Sequence, residues 1–276
     1  MSHTAPVTYY PAQSLSVAGT QIKLVQSADI DFSIKREDVF EFGTFWSVDN
    51  IQVEPATANL NFTYALSPSA NNHQLLGLDS FGDFVSDGEG KQYILSGAGI
   101  LTMPHGFISS YSVEGAVGSV PTVKVGVQAL EVSYVAGAPA FPSNGGSASV
   151  SEVIRPDQIS INLGINEYEC KSFSFNLEMS REYVNKLGAL NPIGNIMTGP
   201  PKVSIEAEVI LRDSANPKFA NDASIDAVIT CGAIGYSVNE AKLTSFSTKT
   251  SLNGIQVGTI KLEAPVKGYN QITIGG

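Results

Sequence analysis

Two cysteines, three histidines and one tryptophan in 276 residues leave this sequence short of the side chains that carry most enzyme chemistry. Cys170 and Cys231 stand 61 positions apart with no Cys-x-x-Cys, so neither a zinc site nor a redox motif has a framework. Two readings stay open for them, buried free thiols or a single disulfide. His3, His73 and His105 are scattered, so neither a Ser-His-Asp arrangement nor a histidine-rich metal shell has a supporting motif. Asp79, Asp83, Asp87 and Glu89 could line a calcium loop, but their spacing misses the alternating ligand pattern of an EF-hand. The expectation is a protein that is not an enzyme, with no catalytic residue, no metal and no cofactor.

Basic residues are scarce as well. Sixteen Lys and Arg against 26 Asp and Glu give a formal charge of −10, with no basic cluster. Such a surface repels duplex DNA, because phosphate binding needs grouped cations. No apolar run is long enough to cross a bilayer, and Met-Ser-His-Thr-Ala-Pro lacks the basic and apolar segments of a secretory signal. A soluble chain that folds in a cytosol, with no membrane partner, is expected. Asn61-Phe-Thr63 has the form of a glycosylation acceptor but falls in a strand-like run, so it is discounted.

What the chain does have is a repeat. Ala28 to Asn71 reappears, shifted by 145 positions and without a gap, as Phe173 to Asn216. Eleven of the 44 aligned positions are identical, among them Arg36 and Arg181, Glu37 and Glu182, Gly43 and Gly188, Pro55 and Pro200. Roughly three would match by ordinary residue usage, so a duplicated module is inferred.

Each copy reads as strand, short helix, loop, strand. Ile30, Phe32 and Ile34 alternate with Asp29, Asp31 and Ser33, as Phe173, Phe175, Leu177 and Met179 alternate with polar neighbours. Val39 and Phe42, like Val184 and Leu187, then sit three apart, which suggests one face of a helical turn closed by Gly43 or Gly188. Ser180 can cap the second of these helices; Lys35 cannot cap the first. Alternation returns in Leu60, Phe62 and Tyr64 and in Val203, Ile205, Ala207 and Val209.

Residues 1 to 18 are expected to form an arm or early edge strand. Gln21 to Val25 is read as a strand matching Gln158 to Leu163 at a shift of 137, with Gly164 to Glu169 an insertion. Ser67 to Gln92 makes a long polar loop, Tyr93 to Leu101 a strand, and a phase slip near Gln128 and Ala129 suggests a bulge. Ile225 to Thr230, Leu243 to Thr248 and Gly258 to Leu262 fill the corresponding places in the second copy. The Pro-, Gly- and Ser-rich run between the copies reads as a linker, which sets a first domain at 1–136, the linker at 137–152 and a second domain at 153–276.

Arg36, Glu37, Arg181 and Glu182 recur in both copies, either as salt bridges between subunits or as partners for first-turn backbone groups. Phe40, Phe45 and Trp46 have no aromatic counterpart in the second copy and need cover, for which a neighbouring chain is the preferred source.

The Arg-Glu-x-hydrophobic-x-x-hydrophobic-Gly run, the loop, the proline and the alternating strand, ending in Phe107-Ile-Ser-Ser-Tyr111-Ser-Val-Glu-Gly-Ala-Val-Gly-Ser-Val-Pro121-Thr, resemble tail tube proteins of tailed bacteriophages. The resemblance covers both repeats. It implies two tandem tail-tube-like β-sandwich or barrel domains, each with one short α-helix. It also implies a structural virion protein that is assembled in the bacterial cytoplasm, and whose stacked rings form a conduit for DNA ejection. Three two-domain chains would close a six-unit ring of formal charge about −30, meeting other tail proteins and passing genomic DNA without binding it. Asn61, Thr63, Glu206 and Glu208 are then candidates to line the lumen, and the four recurrent charged residues with Phe40, Phe45 and Trp46 are candidates for subunit contacts. A terminal-ring adaptor, a baseplate component and a receptor- or carbohydrate-binding β-sandwich remain alternatives.

Overall fold

The computed structural model describes residues 14–43, 45–54, 56–67, 72–78, 90–97, 99–129, 131–136, 153–164, 166–189, 192–211, 224–250, 256–266 and 271–275. Within them the chain is mainly β, as its alternating runs require. The first repeat holds β1 (Ser14–Val17), β2 (Thr20–Gln21), β3 (Val25–Ser33), β4 (Arg36–Phe40), β5 (Ser47–Gln52) and β6 (Thr57–Ala65). After the short helix α1 (Asn72–Leu76) come β7 (Lys91–Ser96), β8 (Gly99–Ala116), β9 (Thr122–Ala129) and β10 (Ser133–Ala136). The second holds β11 (Ile159–Leu163), β12 (Asn166–Tyr168), β13 (Cys170–Glu178), β14 (Arg181–Val184) and β15 (Gly194–Met197). It continues with β16 (Lys202–Leu211), β17 (Ser224–Cys231), β18 (Ile234–Thr250), β19 (Gln256–Pro265) and β20 (Ile272–Gly275).

The two sets pair in the same registers. Ala28 lies opposite Phe62 and Ser33 opposite Thr57, and a shift of 145 turns these into Phe173 opposite Ala207 and Glu178 opposite Lys202. Both ladders slip at the same place, between Val25 and Ser27 and between Cys170 and Ser172. Ile108 faces Val127 and Leu243 faces Leu262, a shift of 135, and each pair is followed by a bulge. A bulge is a one-residue defect that bends the strand in a fixed place. Its recurrence at matched positions shows that the repetition extends to backbone geometry.

Strand order runs β3-β6-β9-β8-β13-β16-β19-β18, all antiparallel, so four strands of each repeat form one eight-stranded inner sheet. The long strands β8 and β18 leave this sheet through their N-terminal halves. There β8 pairs with β7 and β10, and β18 with β17 and β20, while β1-β2 and β11-β12 extend the outer layers. The core lies between the layers. One cross-strand row on the inner sheet reads Ala28, Phe62, Val125, Tyr111, Leu177, Val203, Ala264, without a polar residue. Phe62 meets Tyr93 of the outer layer at 6.5 Å between ring centroids, and Phe175 meets Tyr236 at 5.4 Å. Each such large apolar side chain stabilises the fold by about 1.5–3 kcal/mol through burial. The buried residues of both repeats form one continuous cluster.

Several local expectations are corrected. The short helices expected after Lys35 and Ser180 are β-hairpins, β4–β5 and β14–β15. The three-residue spacing of Val39 and Phe42 was too little to establish a helical period, and Arg36–Phe40 shows no alternation that would have marked a strand. Aromatic and β-branched residues such as Phe40, Tyr183 and Val184 favour strand. Gly43 and Gly188 do adopt the left-handed backbone, at φ +93° and +85°, but in turns beyond β4 and β14 and not at helix ends. Among the described residues α1 is the one α-helix, and the second repeat has a 3-10 turn at Pro156–Gln158.

The match of Gln21–Val25 to Gln158–Leu163 also fails. Leu15 faces Leu95 as Ile161 faces Ile229, so β1 corresponds to β11 at a shift of 146, and β12 inside the supposed insertion corresponds to β2. Ser14–Val17 is accordingly strand and not arm, with Leu15 and Val17 fully buried. Tyr93 to Leu101 is two strands that turn at Gly97, whose N–H donates to the Gly99 carbonyl at 2.9 Å. The phase slip at Gln128 and Ala129 marks the end of β9; β10 then joins β8. The acidic loop with Asp79, Asp83, Asp87 and Glu89, the linker 137–152, His3 and the residues 212–223 lie outside the described residues.

Candidate functional site

Alternation that sends Phe62 inward sends its neighbours to the opposite face of the inner sheet. A second row, crossing all eight strands, reads Ser27, Thr63, Lys124, Ser112, Asn176, Ser204, Glu263, Lys242. The adjacent row runs Thr122, Glu114, Ser174, Glu206, Lys261, Ser245. This face is polar across both repeats. It carries all four lumen candidates: Asn61 and Thr63 on β6, and Glu206 and Glu208 at the matching positions of β16. Glu114, Ser172, Ser174, Glu206, Glu208 and Thr259 line an open groove on it. Lys124 pairs with Glu114 at 2.7 Å and Lys261 lies 3.5 Å from Glu263, exposed contacts that contribute little to stability.

The repeats meet edge to edge on this sheet. Strand β13 adds to β8 from Ser172 opposite Ala116 to Glu178 opposite Ser110. At the seam Phe175 and Leu177 of β13, and Tyr111 and Val113 of β8, are all at most 1 % exposed. A Cβ on Gly115 would approach the Phe173 ring to 2.5 Å, so glycine is what lets that ring lie flat across the joint. The counterpart of β13 in the first repeat is β3, which pairs only with β6; the C-terminal half of β18, the counterpart of β8 there, pairs only with β19. Each end of the inner sheet is thus an unpaired edge among the described residues.

The hairpins hold the recurrent charged residues. Arg36 faces Gln52 and Glu37 faces Ile51; Arg181 faces Met197 and Glu182 faces Ile196, again at a shift of 145. The second hairpin leans on the first repeat. The Tyr183 hydroxyl donates to the Ala129 carbonyl at 3.0 Å, and the Arg181 guanidinium stands 5.2 Å from the centre of the Phe107 ring. In the first hairpin β4 is exposed along its whole length. Arg36 donates to the Asn50 carbonyl at 3.4 Å, the Asn50 amide donates to Asp38 at 2.7 Å, and Lys35 pairs with Glu54. With no helix here, the first-turn role considered for Glu37 and Glu182 does not arise. Phe40, Phe42, Phe45 and Trp46 stand in solvent, Phe45 at 95 % and Trp46 at 78 % exposure. Phe42, expected with Val39 on one face of a helical turn, is fully exposed.

Cys170 and Cys231 are free thiols. Burial pushes Cys170 up to about 11 and Cys231 up to about 12, so neither is a nucleophile near neutrality. Among the described residues no three His, Cys, Asp or Glu side chains come together to hold a metal, and no described helix is long and apolar enough to cross a membrane. What the arrangement offers is surface: a polar face, two open strand edges and two projecting apolar hairpins. The sequence showed the face through alternation, but it gave no sign of the seam. No protein-family model matches the chain, and no curated protein matches it either.

Proposed function

We propose that this chain is a structural subunit of a bacteriophage tail tube, in which two tandem tube-like domains per chain assemble with further copies into rings that stack around a DNA conduit. One observation carries the reading: an eight-stranded sheet whose central seam joins one repeat to the next, and whose two outer edges are the other halves of that seam. A module that joins its own duplicate edge to edge has a head-to-tail interface, and a head-to-tail interface whose rotation closes makes a ring. Three chains place six modules in such a ring. The polar face with Asn61, Thr63, Glu206 and Glu208 becomes the bore, and the net negative charge keeps DNA from adhering to it. The hairpins with Phe40, Phe45 and Trp46 reach other copies or other tail proteins.

Sedimentation velocity over a rising concentration series, with negative-stain microscopy of the same samples, tests this. Hollow tubes are the expected result. Single rings that never stack would assign the chain to the terminal ring or baseplate, and particles that remain monomeric at every concentration would overturn the reading.

A further inference from the structure

The seam inside the chain can be transposed by the two shifts that relate the repeats. Moving β13 back by 145 gives β3, and moving β8 forward by 135 gives β18. The transposed pairs are Asp29 with Lys249, Ile30 with Thr248, Asp31 with Ser247, Phe32 with Phe246 and Ser33 with Ser245. The partners in the existing seam are Ser174 with Glu114, Phe175 with Val113, Asn176 with Ser112, Leu177 with Tyr111 and Glu178 with Ser110. Bulk changes sides in this exchange: Phe173 against Gly115 becomes Ala28 against Thr250.

Two properties of the free edges follow from the transposition. Where the seam is made, Leu177 and Tyr111 are 0 % and 1 % exposed; where it is open, their counterparts Phe32 and Phe246 are 46 % and 39 % exposed. The same two positions are apolar in every case and are partly exposed at the ends. Charge also divides between the edges. Strand β3 carries Asp29 and Asp31 and no base, whereas the stretch 243–250 of β18, which pairs only with β19, carries Lys249 and no acid. The existing seam has no such division, since its facing charges are one acid on each strand, Glu114 opposite Ser174 and Glu178 opposite Ser110.

We propose that the β3 edge of one copy adds antiparallel to the β18 edge of a second copy in the register of the internal seam, with Asp29 opposite Lys249 and Phe32 opposite Phe246. The charges select this heterologous pairing. Two β3 edges paired about Ile30 would set Asp29 against Asp31, and like charges directly opposite on a ladder are unfavourable. Exposed strand edges join whatever ladder is offered, so an edge that must assemble needs a means of refusing the wrong partner. This inference rests on the reading of the chain as a self-assembling subunit, and it fixes which strands meet and in what alignment.

Paired cysteines introduced in the full chain test it. Directly opposite residues in an antiparallel ladder have Cα atoms about 4.5–5.5 Å apart, within the reach of a disulfide. Asp31→Cys with Ser247→Cys is expected to give covalent multimers under mild oxidation, whereas Ser33→Cys with Lys249→Cys, four positions out of register, is not. Charge reversal supplies a second readout. Asp29→Lys or Lys249→Asp alone should weaken association roughly five- to ten-fold at low salt, and the double exchange should restore it. Wild-type tubes or rings with no crosslink at the proposed pair, or with crosslinking at the offset pair, would overturn this seam and leave the conduit standing. A chain that stays monomeric by sedimentation would overturn both.

Discussion

Tyr111 of the first repeat and Tyr236 of the second meet hydroxyl to hydroxyl at 3.3 Å inside the core. Both side chains are shut off from water, and burial raises both phenols well above their ordinary range. The contact ties the inner sheet of one repeat to the outer layer of the next, so the repeats share polar as well as apolar interior. Tyr64 is buried in the same cluster, but its hydroxyl has no partner at hydrogen-bond geometry. Tyr111→Phe should cost about 1–3 kcal/mol, because it strands the Tyr236 hydroxyl in an apolar core. Tyr64→Phe should cost less than 1 kcal/mol or stabilise, since its hydroxyl neighbours that of Tyr111 without reaching hydrogen-bond geometry. Urea denaturation midpoints at an unchanged slope would separate the two.

The buried thiols set an alkaline limit on stability. Cys170 and Cys231 are raised from 9.0 to about 11 and about 12, by desolvation first in each case. Below pH 9 both are neutral in the folded and the unfolded chain, and their contribution to stability is fully present. As pH rises from 9 toward 11 and 12, the unfolded chain releases these protons while the folded one keeps them, so stability falls. By pH 10 the loss should be about 1.4 kcal/mol for each thiol, ~3 kcal/mol together. Denaturation midpoints of the wild type against Cys170→Ala with Cys231→Ala across that interval measure it, because the variant should lose less over the same pH range. A thiol-specific alkylating reagent at pH 8 should label the native chain far more slowly than the urea-unfolded one.

Much of the sheet was legible because period-two alternation is local. Leu60, Phe62 and Tyr64 against Asn59, Asn61 and Thr63 specify a strand and its two faces from nine residues, and the gapless match of 28–71 to 173–216 makes the second copy follow. The outer strands were misaligned because Ser14–Val17 and Ile159–Leu163 share alternation but almost no identity, and alternation alone tolerates a shift. The hairpins were misread because a run as short and as exposed as Arg36–Phe40 establishes no period at all. The seam was invisible for a different reason. That β13 lies on β8 depends on a chain reversal across some sixty residues, and nothing local in either strand names its neighbour.

Charge reversal on the polar face separates a bore from an ordinary exposed sheet. Glu206 and Glu208 lie on β16 with no role in the core, facing Lys261 and Thr259 across the ladder. Glu206→Lys with Glu208→Lys should cost no more than about 1 kcal/mol, mostly from the new opposition to Lys261. Assembled wild-type particles should not retain DNA fragments, whereas the variant's should, and retention should fall steeply as salt is raised. Filter retention and gel mobility at several salt concentrations check this. Equal behaviour of the two proteins would mean that the face does not surround DNA.

Trp46 reports on the first hairpin without any label. It is the one tryptophan of the chain, 78 % exposed, next to Phe45 and across from the wholly exposed β4. Aromatic side chains that stand this far out of a fold are commonly covered by a partner, since isolated proteins rarely leave such a group of apolar residues in water. The matching hairpin of the second repeat is already held, through Tyr183 and Arg181 against β9 and Phe107 of the same chain. In the proposed assembly the first hairpin is held in the corresponding way by another copy. Dilute protein should therefore emit at the long wavelength of a largely exposed indole and be quenched readily by iodide or acrylamide. Emission should move to shorter wavelength, with loss of quenching, as concentration drives assembly. Phe45→Ser with Trp46→Ser should leave the thermal midpoint within about 2 °C, because neither residue is in the core, while assembly measured by sedimentation weakens. Assembly with unchanged emission would place the hairpin outside every contact between copies, and would leave its aromatic tip to a partner of a different kind.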